Sequence, residues 1–162
     1  MDMFGTVRFK ASREHLWQAF SDSAVMKQCL PGCETFEWTA SGQGVATAAI
    51  AIGPIAARFK GEVRLFDVEP PVTCTIAGEA NAGAGGFVTG LAKVRLDESS
   101  EGTELSYFAE ARICQRLTRL GVRRVDAAAK EIATRFLDSL REIVERAAKA
   151  ADRPAPERAW LR

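Results

Sequence analysis

The sequence predicts an α+β fold in which a curved antiparallel sheet of about seven strands wraps around one long C-terminal helix. Two features lead to this prediction. Short segments of alternating apolar and polar residues, separated by turn residues, follow one another from residue 33 to residue 114. After them, residues 121–148 repeat apolar side chains every three to four positions. A helix that is apolar along one side needs a cover, and the strands upstream supply it.

Length and composition are those of one globular domain. The chain has 162 residues and a formal net charge of +1, so we expect a domain over residues 1–148 and a short flexible tail over residues 149–162. A net charge this close to zero argues against nucleic acid as a partner. Charged residues interrupt the start of the chain, and no apolar run is long enough to span a membrane. We therefore expect a cytoplasmic protein with reduced cysteines.

The first forty residues predict a strand followed by two short helices. Met3 to Ala11 alternates apolar and polar residues, as a strand does. Ser12 is placed to cap the first helix, and Asp22 is placed to cap the second. The second helix is expected to run to Leu30, where Pro31-Gly32 ends it.

Six further strands are predicted from the pattern between the turns. They are Cys33–Thr39, Val45–Ile52, Ile55–Val68, Val72–Ala80, Phe87–Asp97 and Thr103–Cys114. Val45–Ile52 is apolar at nearly every position, so we expect it to be buried on both faces. In the fifth of these strands Lys93 and Arg95 should face water, which turns Phe87 outward unless a bulge near Gly90 resets the register.

The long helix is predicted from Gly121 to about Ala148. Its apolar stripe includes Val122, Val125, Ala129, Ile132, Phe136, Leu140, Ile143 and Ala147. Small residues (Ala128, Ala129 and Ala133) lie among the bulky ones on the inner face. Two interpretations remain open: a tightly packed core, or a gap between helix and sheet that is large enough for a ligand.

Catalytic and metal-binding templates find no support in the sequence. The only histidine is His15, at the start of the first helix, where a solvated or capping role is expected. The segment Gly83 to Gly86 joins two strands and opens no helix, so it is not predicted to bind a phosphate. Cys29 and Cys33 lack the spacing and the histidine partners of a zinc site. We therefore predict no catalytic residue, no metal and no tightly bound cofactor.

Five arginines form the one notable charge feature. Arg112, Arg116, Arg119, Arg123 and Arg124 occur with no acidic residue between Ala111 and Val125. They are either an ordinary solvated surface or a basic patch that meets an acidic partner or anionic lipid headgroups.

Two segments together resemble a known family. The first is Ser12–Glu34, which contains the loop Cys29-Leu30-Pro31-Gly32-Cys33-Glu34. The second is Ile52-Gly53-Pro54-Ile55, followed by Phe59-Lys60-Gly61 and by Asp67-Val68-Glu69-Pro70-Pro71. In this order they look like the CoxG (CoxG-like) family of carbon monoxide dehydrogenase subunits, within the START-like, or SRPBCC, superfamily of helix-grip proteins. The likeness covers about residues 3–145.

The resemblance implies a fold and a role. Helix-grip proteins hold a hydrophobic ligand between the sheet and the long helix. CoxG-like proteins accompany aerobic molybdenum-containing carbon monoxide dehydrogenases and related hydroxylases, and are linked with recruiting the enzyme to the membrane and with binding quinone. This makes the inner face of the membrane an alternative location. Many members have a C-terminal extension that contacts the membrane, whereas here only Trp160 and Leu161 could replace it.

On this basis we expect a non-enzymatic accessory protein that binds a quinone or lipid and works with a molybdenum hydroxylase. The residues predicted to line the ligand space are Leu30, Pro31, Ile52, Phe59, Val63, Cys74, Ile76, Tyr107, Ile132 and Phe136. The Tyr107 hydroxyl could bond a ligand carbonyl or stay bonded to protein. The alternatives are an enzyme of the polyketide cyclase or dehydratase kind and a protein-interaction module that uses the five arginines.

Overall fold

The computed structural model describes residues 1–40, 42–83 and 86–151. The strands are β1 (Asp2–Phe9), β2 (Cys33–Ala40), β3 (Gln43–Ile52), β4 (Ile55–Glu69), β5 (Thr73–Asn81), β6 (Phe87–Ser99) and β7 (Gly102–Ile113). The helices are α1 (Arg13–Phe20), α2 (Ser23–Cys29), α3 (Gln115–Thr118) and α4 (Val122–Ala151). Helix α4 continues three residues past the predicted domain end at Ala148, and Trp160 and Leu161 of the predicted tail lie outside the described residues.

The seven strands form one antiparallel sheet in the order β1-β7-β6-β5-β4-β3-β2. Helix α4 crosses the inner face of this sheet, and α1 and α2 pack beside its C-terminal half. The predicted helix-grip fold is therefore confirmed, including the two short helices after the first strand.

Capping explains where the first two helices begin. The Ser12 hydroxyl accepts a hydrogen bond from the backbone N–H of His15 at 3.2 Å, and the Asp22 carboxylate accepts from the N–H of Ala24 at 2.9 Å. Each bond satisfies a backbone donor that has no partner inside the helix. Both predicted caps are confirmed.

The structure corrects two local predictions, on β3 and on Val122, and settles a third, on the direction of Phe87. Strand β3 is exposed on its outer face at Val45, so the prediction that it is buried on both faces is wrong. Most apolar residues of that face are alanines, which tolerate water well. Val122 opens α4 with 72% of its surface exposed and does not join the buried stripe, and the short helix α3 was not predicted. Phe87 faces outward with no register shift between β5 and β6, as the charges of its strand indicated.

The core consists of two separate clusters, one at each end of α4. The large core cluster packs the C-terminal half of α4 (Leu140, Val144 and Ala148) against α1, α2 and the strands. Its other fully buried members are Phe9, Ala11, Leu16, Ala19, Met26, Cys29, Leu96 and Leu105. The small core cluster packs Val125 of α4 against Ile52, Phe59 and Leu117. The middle of α4 belongs to neither cluster.

Candidate ligand-binding site

The middle of the sheet's inner face is lined by small residues. They are Ala46 and Ala48 of β3, Gly61 of β4, Gly78 of β5, Gly90 and Ala92 of β6, and Ala109 and Ala111 of β7. Strand register places them side by side across the sheet. Gly90 of β6 pairs with Ala111 of β7 on one side and with Gly78 of β5 on the other, and Gly78 pairs in turn with Val63 of β4. Because glycine and alanine project little from the strands, side chains of the sheet fill little of the space above this area.

The facing part of α4 is only partly covered. Ala129, Ile132 and Ala133 are half-buried and lie between the two core clusters. Helix α4 packs most closely on α1, α2, β1 and β3, whereas the strands from β4 to β7 make no comparably extensive approach. We call the region between these helix residues and the small residues of the sheet the central gap.

Three predicted wall residues border the central gap directly. Val63, Ile76 and Ile132 face it from β4, β5 and α4, and all three are half-buried outside both clusters. Cys74 lies on the same inner face of β5, one step beyond Ile76, and is 9% exposed. Apolar side chains that face the interior and still meet solvent are typical of a ligand space that is partly open.

Four other predicted residues form the ends of the central gap. Ile52 and Phe59 are buried in the small core cluster, so they close the end near the start of α4. Phe136 and Tyr107 pack against the large core cluster and close the opposite end.

The ring of Tyr107 lies over the backbone of β1. A Cβ atom added at Gly5 would be 3.0 Å from the Tyr107 hydroxyl oxygen, so only glycine leaves the ring its present position. Within the described part of the chain this hydroxyl has no hydrogen-bond partner. The hydroxyl thus lies on the β1 side of β7, away from Val63 and Ile76.

Leu30 and Pro31 lie in the loop that follows α2 and are half-buried. The next residue anchors the loop to β3, because the Gly32 carbonyl accepts a hydrogen bond from the N–H of Ala49 at 2.9 Å. Gly32 has φ +71°, and a Cβ atom at this position would collide with the Ala49 carbonyl. The loop is thus held at the β3 side of the molecule.

The chemistry of the central gap suits binding rather than acid–base catalysis. Among the described inward-facing residues of β3 to β7 the one carboxylate is Glu98, at the far end of β6, where it pairs with Arg13 of α1 at 3.1 Å, and histidine and lysine are absent. Burial raises the pKa of the Cys74 thiol, which keeps it neutral. His15 lies away from the gap, with its Nδ1 atom 2.8 Å from the Ser12 hydroxyl. No group of three metal-ligating side chains is found in the described ranges.

A surface groove adjoins the small core cluster. It has a volume of about 590 Å³ and separates the β3–β4 turn from the first half of α4. Its lining comprises Ala51, Gly53, Pro54, Arg124, Ala127, Ala128 and Glu131. Sequence reasoning identified the turn and the alanines but did not bring them together, because their proximity depends on how the helix crosses the sheet.

A second groove, of about 560 Å³, crosses the outer face of the sheet. Lys60, Glu62 and Glu79 contribute to its lining. An apolar ligand there would desolvate these charged groups, so this groove does not suit one.

The five arginines are all exposed, on β7, α3 and the start of α4. Arg123 and Arg124 occupy the first turn of α4, which contains no acidic residue. This is the reverse of the distribution that the helix dipole favours. Arg124 also lies along the β3–β4 turn, where its Nη1 atom would be 3.3 Å from a Cβ atom added at Gly53. No helix in the described ranges is long and apolar enough to cross a bilayer.

Comparison with known families gives one match that spans most of the chain. Residues 5–145 match the family model for CoxG, which is described as a subunit of carbon monoxide dehydrogenase. The family is one of accessory subunits, which is consistent with a non-enzymatic role. No curated protein has a significantly similar sequence.

Solved structures with the same fold come from several bacteria. A conserved protein of Geobacillus kaustophilus has a TM-score of 0.83 at 20% identity, with 90% of this chain and 96% of that chain covered. An uncharacterised protein of Rhizobium leguminosarum has a TM-score of 0.71 at 16% identity, with 90% and 95% covered. A protein of Thermus thermophilus has a TM-score of 0.67 at 17% identity, with 94% and 100% covered. At these identities the likeness establishes the fold alone.

Proposed function

Because the chain belongs to the CoxG family of carbon monoxide dehydrogenase subunits, we propose that it is an accessory protein whose central gap holds an apolar ligand, a quinone or an isoprenoid or acyl lipid. Family membership itself implies an accessory role with carbon monoxide dehydrogenase. The observation that supports the ligand is the half-buried apolar surface between the two core clusters, formed by Val63, Ile76 and Ile132.

Burial of the ligand's apolar surface supplies the binding energy. Each Å² removed from water contributes about 25 cal/mol, so a quinone head with a short tail that buries about 300 Å² gains about 7 kcal/mol before the entropy of binding is subtracted. Among the described residues, none of those that border the central gap on β3 to β7 has a charge that would have to be desolvated, since Glu98 lies at the far end of β6 beside Arg13. If the Tyr107 ring turns from β1 toward the central gap, its hydroxyl gives the site one polar point, at which a hydrogen bond orients a quinone carbonyl.

The groove at the β3–β4 turn is the proposed entrance. It adjoins the small core cluster through Ala128, which packs against that cluster and also lines the groove. A ligand that enters here has to displace the contacts of Val125 with Ile52 and Phe59, and it then meets Ile132 one helical turn beyond Ala128.

Filling the central gap is the test of the site. We expect Ile132→Trp to abolish uptake of a short-chain ubiquinone or menaquinone analogue, measured by equilibrium dialysis, because the indole occupies the ligand's volume. Phe59→Trp should reduce uptake from the small-cluster end. The matched control is Val122→Trp, on the same helix but 72% exposed, which should bind like the parent chain.

Circular dichroism establishes that each variant is folded. Equal quinone uptake by Ile132→Trp, Phe59→Trp and the parent chain would exclude the central gap as the site.

A second candidate function is docking on anionic membrane headgroups through the five exposed arginines, which we call the arginine segment (Arg112, Arg116, Arg119, Arg123 and Arg124). It is supported by the two arginines in the acid-free first turn of α4 and by the exposed Val122 beside them, because basic and apolar residues together are typical of interfacial contacts. The double variant Arg119→Glu/Arg123→Glu should no longer sediment with phosphatidylglycerol vesicles.

Arg135→Glu/Arg146→Glu is the matched control, since it makes the same charge change at exposed positions further along α4. Equal sedimentation of both double variants, or equal binding to neutral phosphatidylcholine vesicles, would contradict docking through the arginine segment.

A further inference from the structure

The free edge of β1 leads to an inference that is independent of the ligand. In the sheet order β1 is a terminal strand, and in the described ranges no other strand lies beyond it. We infer that a second copy of this chain adds to this edge, so that two β1 strands pair antiparallel about a twofold axis and join the two sheets.

The hydrogen bonds to β7 determine which backbone groups are free. Met1 and Ala111 exchange two bonds, from the Ala111 N–H to the Met1 carbonyl at 2.8 Å and from the Met1 amino group to the Ala111 carbonyl at 3.1 Å. Such pairs alternate along an antiparallel ladder, and the β1–β7 register is unbroken. Odd-numbered residues of β1 therefore bond to β7. Even-numbered residues direct their N–H and C=O groups away from the sheet.

These outward groups match those of a second copy. If Asp2 of one copy pairs with Arg8 of the other, Phe4 pairs with Thr6, and every pair joins two outward-directed residues. The pairing uses the N–H and C=O groups of all four even-numbered residues on both strands. Gly5 meets Gly5 at the twofold axis, where the Tyr107 ring of each copy covers the inner face of its own β1.

Charge selects this register. The Asp2 carboxylate has no ion-pair partner within the described residues, and the Arg8 side chain is 82% exposed, with Glu104 3.4 Å away. Antiparallel pairing about Gly5 places each Asp2 opposite an Arg8, twice per dimer, on the outer face. A shift by two residues in either direction loses both pairs; in one direction it would bring Asp2 opposite Lys10, but Lys10 lies beyond the end of β1 and its backbone N–H already donates to Glu145. The edge is thus electrostatically self-complementary.

An edge strand that stays unpaired is not expected to carry an exposed aromatic residue. Phe4 is 80% exposed and lies opposite Phe108 on the outer face of β7. Edge strands that stay unpaired are usually protected by charged side chains, proline or a bulge. Between Asp2 and Phe9, β1 has neither proline nor a bulge, and its two charged residues are of opposite sign, so they match a second copy instead of repelling it. In the proposed dimer Phe4 packs against Thr6 of the other copy, and the two Phe4 rings are diagonal neighbours.

Sedimentation equilibrium of the parent chain from about 1 µM to about 1 mM should show reversible dimerisation, because this range covers the affinities expected of a small, transient interface. Phe4→Lys should weaken the dimer about tenfold or more, since the change is felt at both symmetry-related contacts. Phe87→Lys is the matched control: it is a phenylalanine of the same face, 54% exposed, on β6, and should leave dimerisation unchanged.

A charge exchange tests the register. Asp2→Arg should weaken the dimer, because it places two arginines opposite each other, and the double variant Asp2→Arg/Arg8→Asp should restore most of the association. Failure of the double variant to recover would exclude the Asp2–Arg8 pairing.

Amide hydrogen exchange by NMR is the decisive measurement, and it remains interpretable if a variant folds poorly. In the parent chain the N–H groups of Phe4, Thr6 and Arg8 should become protected only at high protein concentration, whereas those of Met3, Gly5 and Val7 should be protected at every concentration. A monomer at the top of the concentration range, or fast exchange of the even-numbered amides there, would overturn the inference. Concentration-dependent protection elsewhere on the surface, with β1 unaffected, would also overturn it.

Discussion

The two halves of α4 bury their inner faces in different ways. The C-terminal half meets large side chains: Leu140 is 0% exposed and packs with Leu96 and Leu105 in the large core cluster. The preceding turns lie between the two core clusters, where Ile132 stays half-buried and the inner face of the sheet consists mainly of glycine and alanine. The same amphipathic helix therefore anchors the fold along one part of its length and borders the central gap along another.

This difference separates stability from binding. Apolar contacts in the large core cluster hold α1, α2, α4 and the sheet together without a ligand. Looser packing in the middle of α4 would then cost little stability compared with the contribution of the large core cluster. Substitutions at matched positions in the two halves should accordingly have unequal effects.

Truncation should give the largest contrast. Leu140→Ala is expected to lower the free energy of unfolding by about 3 to 5 kcal/mol, because it leaves a void among fully buried side chains. Ile132→Ala should lower it by only about 1 kcal/mol, since part of that side chain is already in contact with solvent. Urea denaturation measures both values. Equal losses would mean that the middle of α4 is as tightly packed as its end.

Replacing an alanine by leucine should also change the free energy of unfolding by different amounts in the two halves of α4, with a smaller difference. Ala148→Leu adds three carbon atoms inside the large core cluster and is expected to cost about 1 to 3 kcal/mol through overpacking. Ala133→Leu adds the same atoms at the central gap and should change the free energy of unfolding by less than about 1 kcal/mol. A large loss of stability for Ala133→Leu in thermal or urea denaturation would contradict an underfilled gap.

Cysteine reactivity compares the two clusters without mutation. Burial raises the pKa of the Cys29 thiol, in the large core cluster, to about 11, so only about one molecule in ten thousand carries that thiolate at pH 7. Backbone N–H groups of Leu117 and Phe87 lower the pKa of the Cys114 thiol, which packs beside the small core cluster. Iodoacetamide labelling followed by peptide mass spectrometry should therefore modify Cys114 first. The labelling rate of Cys114 should reach its plateau at a lower pH than the labelling rate of Cys29.

Much of the fold followed from local patterns. Ser12 and Asp22 are recognisable as caps because their side chains act within three residues, and the parity of Lys93 and Arg95 fixed the direction of Phe87. Strand β3 was misjudged because a run of alanines looks buried by hydropathy and yet is stable in contact with water. Helix α3 has only four residues, too few for a periodic signal.

The candidate site was harder to predict than the fold. Inward-facing positions such as Val63 and Ile76 follow from strand alternation, and Ile132 follows from the helical period. Phe59 and Phe136 were predicted as wall residues and lie at the ends of the central gap. Their position there depends on the distance between α4 and the middle strands. That distance depends on sheet curvature, a property of the whole fold. The groove lined by the β3–β4 turn and α4 depends on it for the same reason.

The most direct test of the account is mass spectrometry of the untagged protein purified from its native host without detergent. Native spectra of the intact protein are compared with an organic extract of the same sample. The account predicts a quinone or lipid at close to one molecule per chain in the extract, together with an intact mass that exceeds the polypeptide mass by that ligand. Repeated recovery of the bare polypeptide mass with an empty extract would contradict the claim that the central gap holds an apolar ligand.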